Sequence, residues 1–421
     1  MMPRAITGLL ALAIVTVTAA APAMAQQTSP ERLPPPVSKA DVPPDESRLI
    51  VRWRDRYKTL ADAGVAISAG TIMSGSSISA GAVLGKRRTV GVLGAVVEAR
   101  WSLRGYRQVD GEVGMTGGRR HRTELRTIDS DVTSMFNQNS LLTFGTAVFL
   151  HARELRYPRV DYYGPRAAAS AAGRSDYGVQ GGSIDLVGQW QRPHFGASGR
   201  FGTLRLRLET PTNEGLPDTR DLYAGAGLSG LDAQHHFRTM GAAFTLDFRD
   251  HAQLTERGTF AGVALWHARA SDTSDRSLDW SRLNLDVQHF VRVKKGSQVV
   301  AVRGVLSTRI DDHVMDTPFY LQPTLGGGKT LRSFGSYRLR GDSVWAANAE
   351  YRWRVHPRVE LAPFIDAGTA ARRFGDFRST SVEVAPGIGL RIVGGSRVIG
   401  RLDFARGRDG SRLMFALGSP F

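Results

Sequence analysis

The stretch WAANAEYRWR, residues 345–354, decides the fold class. Trp345, Tyr351 and Trp353 stand at alternate positions, and Glu350 and Arg352 stand between them. Successive side chains of a β-strand point to opposite faces, so this period predicts a strand with one apolar and one charged face. An apolar face against lipid and a charged face against water are typical of a transmembrane β-barrel strand.

Strands of this kind recur along most of the chain. At residues 204–209 three leucines alternate with Arg205, Arg207 and Glu209, which predicts that the leucines face lipid and the charges face the lumen. Sixteen such segments are predicted near residues 63–71, 77–85, 89–103, 105–116, 141–155, 176–191, 196–208, 238–250, 257–269, 279–293, 297–309, 343–355, 358–369, 381–393, 397–406 and 411–421. The predicted fold class is therefore all-β, a transmembrane antiparallel β-barrel with an even number of strands, as bacterial barrels have.

The connections favour a barrel over a soluble β-sandwich, whose strands would also alternate. If both chain ends are periplasmic, short periplasmic turns are predicted at residues 294–296, 356–357 and 394–396, and long outer loops at residues 156–175, 210–237 and 310–342. Short turns inside and long loops outside are the asymmetry of outer-membrane barrels. The exception is the stretch 117–140, which this register makes a long periplasmic connection.

The N-terminus has the layout of a secretory signal peptide. Arg4 precedes the apolar run from Ile6 to Val17, and Ala23-Met24-Ala25 follows, so cleavage is expected before Gln26. The predicted domains are a signal peptide at residues 1–25, a Pro-rich periplasmic tail at residues 26–48 and the barrel at residues 49–421. The predicted location is the bacterial outer membrane.

The chain is basic and contains no cysteine, with a formal net charge of +16. In an exported protein such a charge meets lipopolysaccharide phosphates and a charged lumen, so outer-membrane lipids and lipopolysaccharide are expected neighbours and nucleic acid is not. Without cysteine the chain forms neither disulfides nor thiolate metal sites. No cofactor and no metal ion are expected.

An ordered set of short motifs runs through residues 150–421. The motifs are Tyr162-Tyr163-Gly164, Asp247-Phe248-Arg249-Asp250, Leu331-Arg332-Ser333-Phe334, Asn348-Ala349-Glu350-Tyr351-Arg352, Phe364-Ile365-Asp366-Ala367-Gly368, Gly387-Ile388-Gly389-Leu390-Arg391 and Arg401-Leu402-Asp403-Phe404-Ala405. In this order they resemble the BamA/TamA superfamily of outer-membrane assembly and translocation barrels, also called the bacterial surface antigen family. The resemblance implies a sixteen-stranded barrel whose long sixth outer loop folds into the lumen.

The chain departs from the better-known members of that family in two respects. Only the Pro-rich tail is expected before the barrel, so the chain resembles the barrel-only branch that lacks polypeptide-transport-associated domains. Those domains receive client chains in the assembly factors. In addition, Ser333 stands where the family's loop tip has Gly, a change that restricts the backbone there.

The resemblance makes Arg332 and Phe334 the tip of the inserted loop, with Asp366 as the first expected partner of Arg332, Glu350 as the second and Gly368 in the same motif. A guanidinium paired with carboxylates in a confined space can pin a loop. The other interpretation is an ordinary charge ladder that keeps the lumen wet. Further charges expected in the lumen are Asp247, Arg249, Arg352 and Asp403.

The last strand carries a signal of its own. Leu413, Phe415, Leu417 and Phe421 alternate up to a terminal aromatic residue, which resembles the closing-strand signal of outer-membrane barrels. The outer-membrane assembly machinery is therefore an expected partner during biogenesis. In the assembly factors, the seam between the last and first strands is where clients insert.

Motifs for catalysis are weak, and the chain is not expected to be an enzyme. Residues 326–330 read GGGKT, but Pro323 stands where a phosphate loop needs its first Gly, and no strand-to-helix context follows. His235-His236 lacks the spacing of a metal-binding helix. Asp247 and Asp250, with Arg249 between them, predict a structural salt bridge rather than an acid pair. Catalysis by a loop or in the lumen stays an open alternative.

The function expected from the resemblance is assistance in inserting or exporting proteins, or lipids, at the outer membrane. A passive channel whose basic lumen favours anions is the alternative. A third class is a structural or accessory barrel that binds a periplasmic protein through residues 26–47. The sequence identifies neither a client nor a periplasmic partner.

Overall fold

The computed structural model describes residues 65–70, 72–73, 75–77, 79–86, 93–116, 145–164, 173–212, 215–231, 235–251, 254–271, 278–311, 317–377, 382–394 and 397–420. The predicted signal peptide and Pro-rich tail lie outside these residues, and so do residues 117–144 and Phe421. What the sequence predicts for those stretches stays a prediction.

β-Strands make up most of the described structure, and its helices are short, at Thr219–Leu222, Phe319–Leu321 and Phe374–Asp376. The large sheet consists of β1 (Val65–Gly70), β2 (Ser79–Lys86), β3 (Gly94–Ser102), β4 (Arg107–Thr116), β5 (Gly145–Tyr162), β6 (Ser175–Gln191), β7 (Phe195–Glu209), β8 (His235–Asp247), β9 (Gly258–Ala270), β10 (Asp279–Lys294), β11 (Gln298–Arg309), β14 (Ser343–His356), β15 (Val359–Ala371), β16 (Glu383–Gly394), β17 (Arg397–Gly407) and β18 (Gly410–Leu417). Two short strands, β12 (Thr324–Leu325) and β13 (Leu339–Arg340), form a separate pair. Among the described residues, no helix has both the length and the hydropathy of a membrane-spanning helix.

Every sheet strand pairs antiparallel with the next one along the chain, and β11 pairs with β14. Each predicted segment overlaps one of these strands, so the prediction of an all-β antiparallel barrel is confirmed. The described pairings run from β1 to β18 without joining these two strands. The closing seam and the number of strands in the complete barrel therefore stay predictions.

The two ends of the sheet differ in the length of their connections. The predicted short turns are found at one end, where they join β10 to β11, β14 to β15 and β16 to β17. The long connections from β5 to β6, β7 to β8 and β11 to β14 leave from the opposite end. In outer-membrane barrels short turns are periplasmic and long loops extracellular. The end with the short turns is therefore called the periplasmic end, and the end with the long loops the extracellular end.

The two faces of the sheet differ in chemistry. On β14, Tyr351 and Trp353 are exposed, whereas Glu350 and Arg352 are buried. On β16, the apolar residues at alternate positions are likewise exposed, among them Ile388, Leu390 and Ile392. The exposed apolar face is the outer face, which suits lipid, and the face with buried charges is the inner face.

The prediction for the extracellular end of β7 is wrong. Leu204 and Leu206 are 4% and 1% exposed and lie on the inner face, whereas Arg205 and Arg207 are exposed on the outer face. The leucines pack in an apolar cluster that includes Phe319 of the long loop after β11. The alternation fixes which residues share a face, but at this level the inner face is filled by apolar side chains rather than water.

Candidate functional site

The long connection between β11 and β14 lies along the inner face of the sheet. Inside this loop β12 and β13 pair as a short hairpin. Leu325, Leu331 and Phe334 are fully buried and pack with Val344 and Ala346 of β14. The apolar side chains of the loop, including Phe334, therefore pack against the barrel wall and hold the loop there.

A glycine turn sets the path of the loop tip. Gly326 and Gly327 have φ angles of 120° and 77°, in the region that glycine adopts readily. A Cβ on Gly326 would collide with the carbonyl oxygen of Gly335. The N–H of Gly326 donates to the hydroxyl of Thr330 at 2.9 Å, which closes the turn. The stretch that resembles a phosphate loop is a structural turn before the tip.

Arg332 donates four hydrogen bonds to two carboxylates. Its Nε and Nη2 donate to the two oxygens of Asp366 on β15 at 2.8 and 2.6 Å, and its backbone N–H donates to Asp366 Oδ2 at 3.0 Å. Its Nη1 donates to Glu350 Oε1 on β14 at 2.5 Å. Burial opposes the charged form, but the carboxylates of Glu350 and Asp366 outweigh it and raise the pKa of the Arg332 guanidinium. The bidentate pair fixes the orientation of this side chain.

An aromatic ring supports the same guanidinium. The Cζ atom of Arg332 lies 3.3 Å from the centroid of the Phe364 ring on β15. Phe364 is paired in register with Gly387 of β16, where a Cβ would collide with the ring. Gly387 thus leaves the space in which the ring lies, and the ring adds a cation–π attraction to the ion pairs.

Glu350 is the centre of an ion-pair network on the inner face. Its Oε2 accepts hydrogen bonds from Nη2 of Arg391 at 2.6 Å and from Nε of Arg352 at 3.1 Å. Arg391 also donates to Oε1 of Glu360 at 3.2 Å. Glu350 and Arg391 are fully buried, and a buried ion is tolerated only when paired in this way. We call Arg332, Asp366, Glu350 and Arg391 the tip network.

The backbone of the tip is also held from the barrel wall. The carbonyl oxygens of residues 328, 329 and 330 accept hydrogen bonds from Arg401, Arg303 and Asn348, at 2.6, 3.3 and 2.6 Å. These donors lie on β17, β11 and β14. No local sequence pattern indicates these roles of Arg303 and Arg401, because only the path of the folded loop brings the carbonyls to them.

The extracellular half of the loop contacts the turn between β17 and β18 and the extracellular end of β5. Nε and Nη2 of Arg338 donate to Asp409, in the turn between β17 and β18, at 2.5 and 3.2 Å. The Cζ atom of Arg338 also lies 5.1 Å from the ring centroid of Tyr163, after β5. Arg340 lies over the ring of Tyr162 at 5.5 Å. The Tyr-Tyr-Gly motif therefore contacts the loop through its two rings.

Two more of the predicted residues lie beside the tip. Gly368 is in contact with the loop, because a Cβ there would be 3.1 Å from Cδ1 of Leu325. Asp403 is buried and pairs with Arg401, the side chain that binds the carbonyl of residue 328. Gly368 thus permits the close approach of the loop, and Asp403 orients a donor to it.

Asp247 and Arg249 lie elsewhere, at the periplasmic end of β8. They pair with each other at 2.7 Å, and Arg249 lies over the ring of Phe260 at 4.9 Å. Asp250 pairs with Arg292 of β10 at 3.0 Å. Within the described residues neither Asp247 nor Arg249 forms a hydrogen bond to the inserted loop. The predicted salt bridge between Asp247 and Arg249 is confirmed, and Asp250 takes a different partner.

Ser333 occupies the loop tip without a positive φ angle. The described non-glycine residues with positive φ are Ser77 and Tyr337, so Ser333 is not one of them. The Ser333 side chain points at Gly407 of β17, where a Cβ would collide with its Oγ. Gly407 thus accommodates the side chain that the tip carries in place of Gly.

The C-terminal signal residues lie on the outer face of the last strand. Phe415 and Leu417 of β18 are exposed there, together with Leu413. Phe421 lies outside the described residues. The exposed part of the signal is thus positioned to face lipid in the folded barrel.

The arrangement as a whole immobilises a polypeptide segment against a barrel wall. Its charged groups neutralise one another, and its apolar residues are covered by the loop. Among the described residues, no group of three or more His, Asp and Glu side chains could hold a metal ion.

Comparison with known proteins places this fold among outer-membrane barrels. BamA from Haemophilus ducreyi lacking POTRA domains 1–3 superposes with a TM-score of 0.54 at 13% identity, over 87% of this chain and 78% of that chain. CdiB from Escherichia coli matches with a TM-score of 0.48 at 14% identity, over 85% of this chain and 63% of that one. No curated protein sequence matches. The family profile described as "Omp85 superfamily domain" matches residues 174–418, which confirms the expected resemblance and the outer-membrane location: the chain belongs to the Omp85 superfamily.

Proposed function

We propose that the protein assists the insertion or export of proteins, or of lipids, at the outer membrane. The observation that carries the proposal is the tip network, in which a loop crossing the lumen is held by Arg332 between Asp366 and Glu350. Breaking a buried ion pair costs several kcal/mol, so a loop fixed in this way is a strong constraint. A plain pore has no need of such a constraint, which supports a role beyond conduction.

In this proposal client strands pair at the seam between β18 and β1. β18 is short, with 8 residues, whereas β5 has 18. A short ladder has few main-chain hydrogen bonds, so the two edges can separate at low cost and offer unpaired groups to a client strand. The contact of Arg338 with Asp409 supports the proposal, because it ties the inserted loop to the hairpin that carries β18.

The test is a folding assay in liposomes that contain the mature barrel. A small outer-membrane barrel unfolded in urea is added, and its folding is followed by gel shift. We expect faster folding than in empty liposomes and loss of the acceleration with Arg332→Ala. The matched control is Arg406→Ala, because Arg406 is exposed on the outer face of β17 and lies outside the tip network.

Equal folding rates in empty and loaded liposomes contradict the proposal. The channel then becomes the favoured function, and its own supporting observation is the formal net charge of +16. A channel of that kind has high conductance and favours anions. Low conductance together with no acceleration favours the accessory barrel.

A further inference from the structure

The outer face carries a group of arginines at its extracellular end. They are exposed and lie on five of the six strands from β4 to β9. We call them the outer arginine cluster, which consists of Arg107, Arg156, Arg205, Arg207, Arg238 and Arg269. Their exposure is high, at 57% for the Arg207 side chain and 65% for that of Arg269.

Two pairs in the cluster oppose each other directly across neighbouring strands. The register pairs Arg107 with Arg156 between β4 and β5, and Arg238 with Arg269 between β8 and β9. Directly opposite side chains have their Cβ atoms about 5 Å apart, and like charges in this position destabilise a sheet. The cluster is therefore unfavourable by itself and favourable when an anion lies between the guanidinium groups.

The carboxylates on the outer face beside the cluster are too few to balance its positive charge. Glu209 binds both Arg156 and Arg207, at 3.0 and 3.1 Å. Asp279 is 3.8 Å from Arg269. Glu154, which is exposed on β5, is the third carboxylate beside the cluster. Six guanidinium groups therefore face three carboxylates. Arg107, Arg205 and Arg238 form no ion pair with any described residue.

The cluster lies just beyond the apolar band of the outer face. Phe201 is 59% exposed, and Arg205 follows four residues later on β7. On β8, Arg238 stands two residues from the exposed Met240, and on β9, Arg269 stands four residues from the exposed Leu265. With a rise of about 3.4 Å per residue and a tilted strand, the arginines lie about 5–10 Å above the acyl chains. That is the depth of the headgroup layer.

The C-terminal strands carry fewer arginines on the outer face near their extracellular ends. There β14 and β16 carry Trp345 and Val384, and β17 carries the exposed Arg406. Exposed arginine side chains are thus more numerous on the outer face of β4 to β9 than on that of β14 to β17. A localised cationic surface at headgroup depth fits a ligand with phosphates at that depth.

We propose that the outer arginine cluster binds the phosphate groups of a glycolipid in the outer leaflet, of the lipid A type that lipopolysaccharide carries. Planar guanidinium groups donate bidentate hydrogen bonds to phosphate, which suits arginine better than lysine. Arg205 and Arg238 are diagonal neighbours on β7 and β8 and have no protein counter-charge among the described residues. They form the centre of the site, and Arg207 and Arg269 flank it.

The test measures lipid binding to the full-length mature barrel in detergent micelles by native mass spectrometry. The probe is bisphosphorylated lipid A, and the reference lipid is the same molecule with both phosphates removed. We expect the Arg205→Gln/Arg238→Gln variant to bind lipid A about tenfold more weakly, because two charge-assisted contacts are lost. The control Arg406→Gln should bind as the wild type does, since Arg406 is an exposed outer-face arginine outside the cluster.

Wild-type affinity in the double variant overturns the proposal, and so does equal binding of the dephosphorylated lipid. Binding of phosphatidylglycerol as tight as that of lipid A overturns the assignment to a glycolipid. The wild-type protein gives a check that needs no variant: at about 1 M salt the screening length falls to about 3 Å, and lipid A binding should weaken strongly.

Discussion

Arg332 lies over Phe364, with its Cζ atom 3.3 Å from the ring centroid, while its nitrogens bind Asp366 and Glu350. The cation is therefore enclosed by an aromatic ring and two carboxylates in a fully buried site. In such a site the partners depend on one another, because removing one group leaves the others charged and away from water.

The first prediction concerns this dependence. Arg332→Ala should destabilise the barrel by about 3–5 kcal/mol, because two buried carboxylates lose their shared partner. Asp366→Asn should then cost less in the Arg332→Ala background than in the wild type, because it removes one of those uncompensated charges. The measurement is a double-mutant cycle of thermal unfolding, read by heat-modifiable gel mobility. Strictly additive losses would show that the two side chains do not act as a pair.

The second prediction compares a fully buried carboxylate with a partly exposed one. Glu350→Gln leaves Arg352 and Arg391 buried with less counter-charge, so it should lower the unfolding temperature markedly. Asp161→Asn is the matched control, because Asp161 binds the half-exposed Arg174 at 3.1 Å. Exposed pairs contribute about 0–1 kcal/mol, so the control should change little. Equal shifts in the two variants would contradict the central position given to Glu350.

The third prediction concerns the tie between the loop and the last hairpin. Asp409→Asn weakens the charge-assisted hydrogen bonds from Arg338, so the extracellular half of the loop should open more often. Limited trypsin digestion should then cleave after Arg338 or Arg340 several-fold faster than in the wild type. Cleavage after Arg373, which is exposed after β15 and outside this loop, serves as the internal reference and should keep its rate.

The fourth prediction tests the fit of Ser333 against Gly407. Gly407→Ala places a methyl group on the Ser333 hydroxyl and should displace the tip, which lowers the unfolding temperature. Ser333→Gly should restore most of the loss. The control is Gly199→Ala, because a Cβ on Gly199 meets nothing within 4 Å. Failure of Ser333→Gly to rescue Gly407→Ala would mean that the collision lies elsewhere.

The fifth prediction concerns conduction. Deletion of residues 325–342 removes the segment that crosses the inner face, so single-channel conductance in planar bilayers should rise severalfold. Arg332→Ala should give intermittent openings rather than a steady rise, because the apolar residues of the loop still hold it. Unchanged conductance after the deletion would mean that the loop does not obstruct the pore.

The strands, and the residues that share a face of each strand, follow from the local sequence pattern. The alternation at residues 345–354 is a local property, since neighbouring side chains of any strand point in opposite directions. It therefore predicts β14 with Glu350 and Arg352 on one face before any partner strand is known. The ordered motifs likewise indicated the superfamily, because each is a short stretch of neighbouring residues.

Which face of β7 is the inner one, and which groups meet at the loop tip, depends on the tertiary structure. Leu204 lies inside and Arg205 outside because the loop fills the extracellular half of the lumen with apolar side chains. Arg338 and Asp409 are 71 residues apart in the chain and come together only when the loop is folded. Contacts of this kind depend on the path of the chain through space, and no local period in the sequence records that path.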